Sequence, residues 1–211
     1  MEIDAFILIG GKSSRLGRDK AFVEIGGTTL AQRALDTVRE SGIASKTTFI
    51  AGSETQFAIE AITLDAPFIF DLIEGRGPLG GLHAALSYAQ TPWIFVLACD
   101  YPFVSPELIA LLAGQIPENN GAIIPEQPDG RLQPLCAFYK VQAARPVVDE
   151  IIDRPRVPPP MREIVNSLNP RIVKRDEYSH LAGSDHFFSN LNTPDDMNEI
   201  EKLLWPRMNA D

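Results

Sequence analysis

Hydrophobic and polar positions along the chain keep two alternating rhythms. Ile3 to Ile9 is a continuous apolar run, the mark of a strand buried on both faces. Behind it Leu30, Ala31, Ala34, Leu35 and Val38 recur at helical spacing, with Thr29 and Gln32 as a capping box. This pair predicts a βα unit. The same grammar continues with strands expected at Thr47 to Ala51, Phe68 to Phe70 and Trp93 to Ala98. Leu82, Ala85, Leu86 and Ala89 mark one helix face between them. Leu108, Leu111, Leu112 and Ile116 mark another, with Ser105 as N-cap and Pro106 in the first helical position.

After about residue 120 the rhythm changes. Ala122 to Pro125 and Leu132 to Tyr139 flank a Pro-Asp-Gly turn at 128–130, which predicts a hairpin-like antiparallel addition to a mostly parallel sheet. A helical stretch follows around Val147 to Ile152. The segment from Pro155 to Pro160 is too rich in proline for regular structure and reads as a loop. Short strands are expected at Ile172 to Lys174 and at Phe187 and Phe188, then a helix begun by Thr193, Pro194 and Asp196. No repeat, low-complexity tail or linker divides the chain, so residues 1–211 read as one α/β domain.

The charge balance narrows the ligand class. With 28 acids against 19 bases, the net charge of −9 disfavours nucleic acid and anionic membrane surfaces. An anionic small molecule must then be held by a local cluster of cations. Cys99 and Cys136 are far apart and in no metal-ligand spacing, which suits free thiols in a reducing, cytoplasmic setting. No run is long enough to span a membrane, and Ala5 to Ile9 is too short for a secretion signal. His83, His180 and His186 stand singly and read as packed or surface residues rather than metal ligands.

The local cluster follows the first strand. Gly10-Gly11-Lys12-Ser13-Ser14-Arg15-Leu16-Gly17-Arg18-Asp19-Lys20 joins backbone amides bare of side chains to Arg15, Arg18 and Lys20, the requirements of a polyphosphate site. Spacing excludes a P-loop, because the fifth position after Gly10 is Arg15 and after Gly11 is Leu16. It also excludes the dinucleotide fingerprint, because Lys12 and Ser13 stand where glycine is needed. Ligands of an open α/β sheet bind beyond the carboxyl ends of its strands. Two carboxylates share that address: Asp71 after the third strand and Asp100 after the fourth. Asp100 can serve as a Mg²⁺ ligand or as a cap for the turn before the next helix.

The pattern Gly-Gly-x-Ser-x-Arg-x-Gly-x-Asp-Lys from Gly10 to Lys20 resembles the molybdenum cofactor guanylyltransferase family. The likeness continues through Gly77-Pro78-Leu79-Gly80-Gly81 after Asp71, through Cys99-Asp100-x-Pro, and through Asn190-Leu191-Asn192-Thr193-Pro194. It implies a Rossmann-like three-layer αβα sandwich that moves GMP from GTP to the phosphate of molybdopterin, releasing pyrophosphate. By this resemblance Leu8, Ile9, Gly10, Gly11 and Asp71 contact the nucleotide, Lys20 the phosphates, and Asp100 both nucleotide and Mg²⁺. Lys20, Asp100 and Arg15 become the catalytic candidates. Residues up to about 115 form the nucleotide-binding part and the remainder binds the acceptor, with Gly80, Arg154, Arg156, Arg162, Asn190 and Asn192 as acceptor candidates. Proteins that build the cofactor and the molybdoenzymes that receive it are the implied partners.

One departure bears on specificity. Where the family often carries asparagine at the end of the second strand, this chain reads Ala51-Gly52-Ser53, which leaves one base or ribose contact open. Guanine preference rests on Gly10-Gly11 and Gly80-Gly81 by analogy with the family. A related transferase using CTP or another phosphate acceptor stays as the alternative. A non-catalytic nucleotide sensor would be marked by loss of Lys20 or Asp100, and both are present.

Overall fold

The computed structural model describes residues 2–9, 20–52, 64–116, 120–154, 158–191 and 196. Its centre is a seven-stranded sheet. In chain order the strands are β1 (Ile3–Leu8), β4 (Lys46–Ala51), β5 (Phe68–Phe70), β6 (Trp93–Ala98), β7 (Ala122–Pro125), β8 (Cys136–Lys140) and β9 (Arg171–Val173). A separate small hairpin is made of β2 (Glu24–Ile25) and β3 (Thr28–Thr29). The helices are α1 (Leu30–Glu40), α2 (Pro78–Tyr88), α3 (Pro106–Ala113), α4 (Val141–Ile152), α5 (Met161–Asn166) and α6 (Arg175–Tyr178).

The sheet order is β5-β4-β1-β6-β8-β7-β9, and β8 alone runs against its neighbours. Side chains of β1 and β6 alternate between two cores. Ile3, Ala5, Ile7, Trp93, Phe95 and Leu97 join α1 and α3 on one face. Phe6, Leu8, Ile94 and Val96 join α2 and α4 on the other. With both faces covered by helices, the central strands can be almost wholly apolar, as β6 is throughout and β1 is apart from Asp4. This is the three-layer αβα architecture. At the amino-terminal edge, Asp4 accepts from Gln90 N at 2.8 Å and donates its own N–H to Thr91 Oγ1 at 2.9 Å, pinning β1 beside the entry to β6.

The predicted βα unit is present, and Thr29 Oγ1 accepts from Gln32 N at 3.2 Å. The Gln32 side-chain amide donates to Asp36 Oδ1 at 2.7 Å, one turn further along the helix. The strands at 68–70, 93–98 and 122–125 match expectation, as does α3 with its Ser105 cap, although Ile116 lies beyond the helix. The hairpin after residue 120 lies within the sheet rather than on its edge, since β8 inserts between β6 and β7. Its second arm begins at Cys136, not Leu132. Pro134 interrupts the run, and Leu132 keeps only an isolated bridge to Glu126.

Other differences have local causes. The helix expected at 147–152 begins at Val141, because buried Ala144 and Val148 carry it through Pro146, where sequence rules would start it. Phe187 and Phe188 do not form a strand. They lie in a turn closed by His186 N to Gly183 O at 3.0 Å and Ser189 N to His186 O at 2.9 Å. Their rings are buried, Phe188 edge-on to Tyr101 with centroids 6.0 Å apart. The β2–β3 hairpin turns on Gly26 and Gly27 with φ of 62° and 77°, the two left-handed positions a two-residue turn of this hand requires. The helix expected from Thr193 and Pro194 begins outside the described residues. No helix among the described residues is long and apolar enough to cross a membrane. Cys99 and Cys136 are free thiols, both buried.

Candidate active site

Strand order places the cleft. From β1 the chain steps outward through β4 to β5, then returns across β1 to β6, so the order reverses between β1 and β6. A crevice opens at such a reversal, beyond the carboxyl ends of the two strands. Two backbone bonds continue the ladder past those ends: Cys99 N to Leu8 O at 3.1 Å and Ile9 N to Ile50 O at 2.9 Å. They hold rigid the ends of β1 and β6, at Ile9 and Cys99.

Across this crevice two of the sequence candidates meet. Lys20 Nζ donates to Asp100 Oδ2 at 2.9 Å, although the residues are 80 apart in the chain. Their side chains are 15 % and 24 % exposed, so the pair keeps one side toward solvent and can still reach a ligand. Lys20 opens a short 3-10 turn at Lys20–Phe22 that is rooted twice: Val23 N donates to Lys20 O at 3.1 Å, and Leu30 N to Val23 O at 3.0 Å. Arg33 of α1 adds a third anchor, its Nη2 donating to Ile25 O at 2.8 Å, and burial holds the guanidinium below its ordinary pKa. The next helix is capped by Ser105 Oγ, which accepts from Leu108 N at 3.3 Å.

The loop after Asp100 is tied to later parts of the chain. Tyr101 donates to Gln133 Oε1 at 2.7 Å, and Leu191 N donates to Asp100 O at 3.3 Å. Burial first, and the Asp100 charge second, push the Tyr101 hydroxyl well above its ordinary pKa, while a hydrogen bond with Asn190 acts the other way. Asn190 Oδ1 is buried without a partner among the described residues. Tyr101 and Gln133 were not singled out from the sequence. A tyrosine directly after a strand-end aspartate is the one signal that could have drawn attention to them.

Asp71 lies one strand outward. Its N–H donates to Ala51 O at 2.9 Å, which sets it at the end of β4 and β5. Its carboxylate rests over the first turn of α2: a Cβ built on Gly80 would stand 2.9 Å from Asp71 Oδ2. One on Gly81 would stand 2.7 Å from Leu8 Cδ2. Glycine at these two positions therefore lets α2 close onto β1 and onto Asp71, and Gly80 is buried beneath the carboxylate. Burial, with Glu74 second, raises the Asp71 pKa to about 6. This carboxyl can accept a hydrogen bond when ionised and takes up a proton just below neutral pH.

The remaining candidates are scattered. Arg154 is exposed and bonds Glu150 at 2.6 Å one helical turn back. Arg162 is exposed on α5. Gly10, Gly11, Arg15, Ser53, Arg156 and Asn192 lie outside the described residues. Leu8 and Ile9 are buried, with Leu8 O and Ile9 N engaged in the sheet ladder. Among the described residues no three His, Cys, Asp or Glu side chains gather as a metal cluster. Among the described residues Asp100 offers a hard oxygen at the crevice, which would fit a cation that takes its other ligands from phosphate and water.

Comparison with known proteins agrees with this geometry. Residues 5–167 match the family model described as the MobA-like NTP transferase domain. A probable molybdenum cofactor guanylyltransferase of Methanocaldococcus jannaschii is 32% identical over 205 residues, covering 94% of this chain and 98% of that protein. A molybdenum cofactor guanylyltransferase of Desulfosudis oleivorans is 28% identical, covering 96% of each. Among solved structures, molybdopterin-guanine dinucleotide biosynthesis protein A of Archaeoglobus fulgidus superposes with a TM-score of 0.80 at 27% identity, over 97% of this chain and 100% of that one. A nucleotidyltransferase cleft with its lysine and aspartate in contact, on a chain so matched, identifies the protein as a member of the MobA-like NTP transferase family.

Proposed function

We propose that the protein transfers GMP from GTP to the terminal phosphate of molybdopterin, with or without molybdenum, releasing pyrophosphate and forming a guanine dinucleotide cofactor. The observation that carries this reading is the Lys20–Asp100 contact of 2.9 Å at the strand-order reversal, in a chain of this family. A phosphate oxygen of the acceptor forms a bond to the α-phosphorus of GTP, and the bond from that phosphorus to the bridging β-phosphate oxygen breaks. The electron pair leaves with pyrophosphate. The attacking oxygen is already anionic, so positioning and charge neutralisation supply the rate and no protein nucleophile is needed.

The residues divide this work. Lys20 places its ammonium where charge builds on the departing phosphates, and Asp100 fixes the Lys20 head group. Asp100 also offers the carboxylate oxygen that would hold a divalent cation, which we assign as Mg²⁺ and which supplies further charge neutralisation at the phosphates when bound. Asp71 meets the base or ribose, and Arg15 adds charge from the Gly10-Gly11 loop. Arg156, Arg162, Asn190 and Asn192 receive the pterin and its phosphate, in residues beyond about 115. The two buried free thiols favour a reducing, cytoplasmic setting, and the net charge of −9 speaks against nucleic-acid partners.

Thermal shift tests the nucleotide assignment. GTP with Mg²⁺ should raise the melting temperature more than CTP, UTP or ATP at equal concentration, because binding to the native state stabilises it by mass action. Equal shifts for all four would remove the guanine preference, and the largest shift with CTP would favour the cytidylyl alternative.

A further inference from the structure

The backbone that carries Asp100 is held by long bonds. In the peptide between Asp100 and Tyr101, the oxygen accepts from Leu191 N at 3.3 Å and the N–H donates to Ala98 O at 3.4 Å. Both lie beyond the usual N–H···O range of about 2.7–3.2 Å. The next side chain is held more firmly. Tyr101 is buried, and its hydroxyl donates to Gln133 Oε1 at 2.7 Å, a good length for a bond between two oxygens.

Gln133 is itself a fixed partner. Its N–H donates to Pro125 O at 2.9 Å at the end of β7, and its carbonyl accepts from Cys136 N at 3.1 Å at the start of β8. Beside it Ala98 N, the last residue of β6, donates to Leu135 O at 2.8 Å, so both ends of the hydroxyl bond are anchored in one sheet. The Tyr101 ring is seated separately, edge-on to Phe188 with centroids 6.0 Å apart. Ring packing is non-directional, whereas the hydroxyl bond fixes a direction. A planar peptide joins the Cα atoms of Asp100 and Tyr101, so a swing of Tyr101 carries the Asp100 side chain with it. That carboxylate is the one 2.9 Å from Lys20 Nζ.

We propose that Tyr101 is a positioning residue for Asp100: its hydroxyl bond to Gln133 holds the loop after β6 in the arrangement that keeps the Asp100 carboxylate on Lys20. This rests on the reading of that pair as part of the transfer site. Tyr101 acts through the carboxylate, and misplacing a group at a reacting centre by about 1 Å costs as much as about 10²-fold in rate.

The test uses the full chain with Tyr101→Phe, which keeps the ring against Phe188 and removes the hydroxyl, Gln133→Met, which keeps the side-chain length and removes the amide oxygen, and the double variant. The pair is read in the ligand-free protein with a carbodiimide, which joins a carboxylate to an amine only where the two are in contact. The Lys20–Asp100 isopeptide, identified by mass after digestion, should form in the wild type and fall about fivefold in each single variant, the shift in population that one ordinary hydrogen bond sets. With GTP and acceptor, kcat should fall about tenfold in each, and the double variant should be no worse than either single one, because both remove the same bond. No isopeptide in the wild type, a yield unchanged in either single variant, or single losses that multiply in the double variant overturns the proposal. So does a melting temperature lowered by more than about 10 °C in the single variants, which would make the bond a general fold contact. Should the wild type transfer no GMP, the functional reading fails, and the isopeptide yield still decides whether Tyr101 holds Asp100.

Discussion

Replacing Asp100 by asparagine separates a catalytic carboxylate from a structural one. The substitution keeps the shape and an oxygen acceptor for Lys20 Nζ, and removes the charge 2.9 Å from that ammonium. At this spacing and near a protein surface the gross attraction is about 4–6 kcal/mol. The pair is 15 % and 24 % exposed, so hydration and screening return most of it when the charge is lost. The fold should therefore lose only about 1 kcal/mol, roughly 2–4 °C of melting temperature in a chain of this size. Turnover has no such cushion. Loss of the cation ligand and of the charge that orients Lys20 should lower kcat by about 10²–10³, or about 3–4 kcal/mol on the barrier. Pyrophosphate release with GTP and acceptor, followed across a Mg²⁺ titration beside a melting curve, reads both effects. Near-native turnover at low Mg²⁺ would refute the metal role. A loss of activity matched by collapse of the melting temperature would make the ion pair a structural element.

Lys20→Met should cost a similar factor in kcat and leave GTP-free stability within about 1 kcal/mol, checked by the same two assays. Asp71→Asn should flatten the acid limb of the stability profile. The folded-state pKa near 6 lies above the ordinary value of 3.8, so the native protein binds the extra proton and loses stability as pH rises from about 4 to about 6. After discounting for its exposure the effect is about 1 kcal/mol, and the variant should be the more stable protein at pH 7.5 in urea denaturation while binding GTP more weakly. Gly81→Ala, which would set a methyl 2.7 Å from buried Leu8 Cδ2, should destabilise by about 1–2 kcal/mol net of its helix propensity gain. The double variant Gly81→Ala/Leu8→Val should recover part of that loss.

Much of this architecture was legible because strand burial and helix capping are local. The apolar run Ile3 to Ile9, the Trp93 to Ala98 strand and the Ser105-Pro106 helix start each carry their own instruction, and each stands where expected within a residue. The misreadings occur where tertiary contacts outweigh local signals. Phe187 and Phe188 have strand-like composition but are buried as turn residues against Tyr101 and Tyr178. Pro146 sits inside a helix because Ala144 and Val148 anchor it from either side. Strand order is non-local by nature, and the insertion of β8 between β6 and β7 could not be read from either strand alone. At the site, Asp100 and Asp71 were findable as carboxylates at strand ends, whereas the meeting of Lys20 with Asp100 across 80 residues required the sheet.

The central claim is tested most directly by the product. Purified protein is incubated with GTP, Mg²⁺ and molybdopterin, and the mixture is resolved by mass. The expected outcome is a molybdopterin guanine dinucleotide formed in equal amount with pyrophosphate, dependent on Lys20 and Asp100, with CTP a poor substitute. GTP left intact beside unmodified molybdopterin, or a cytosine dinucleotide formed in preference from mixed nucleotides, would contradict it.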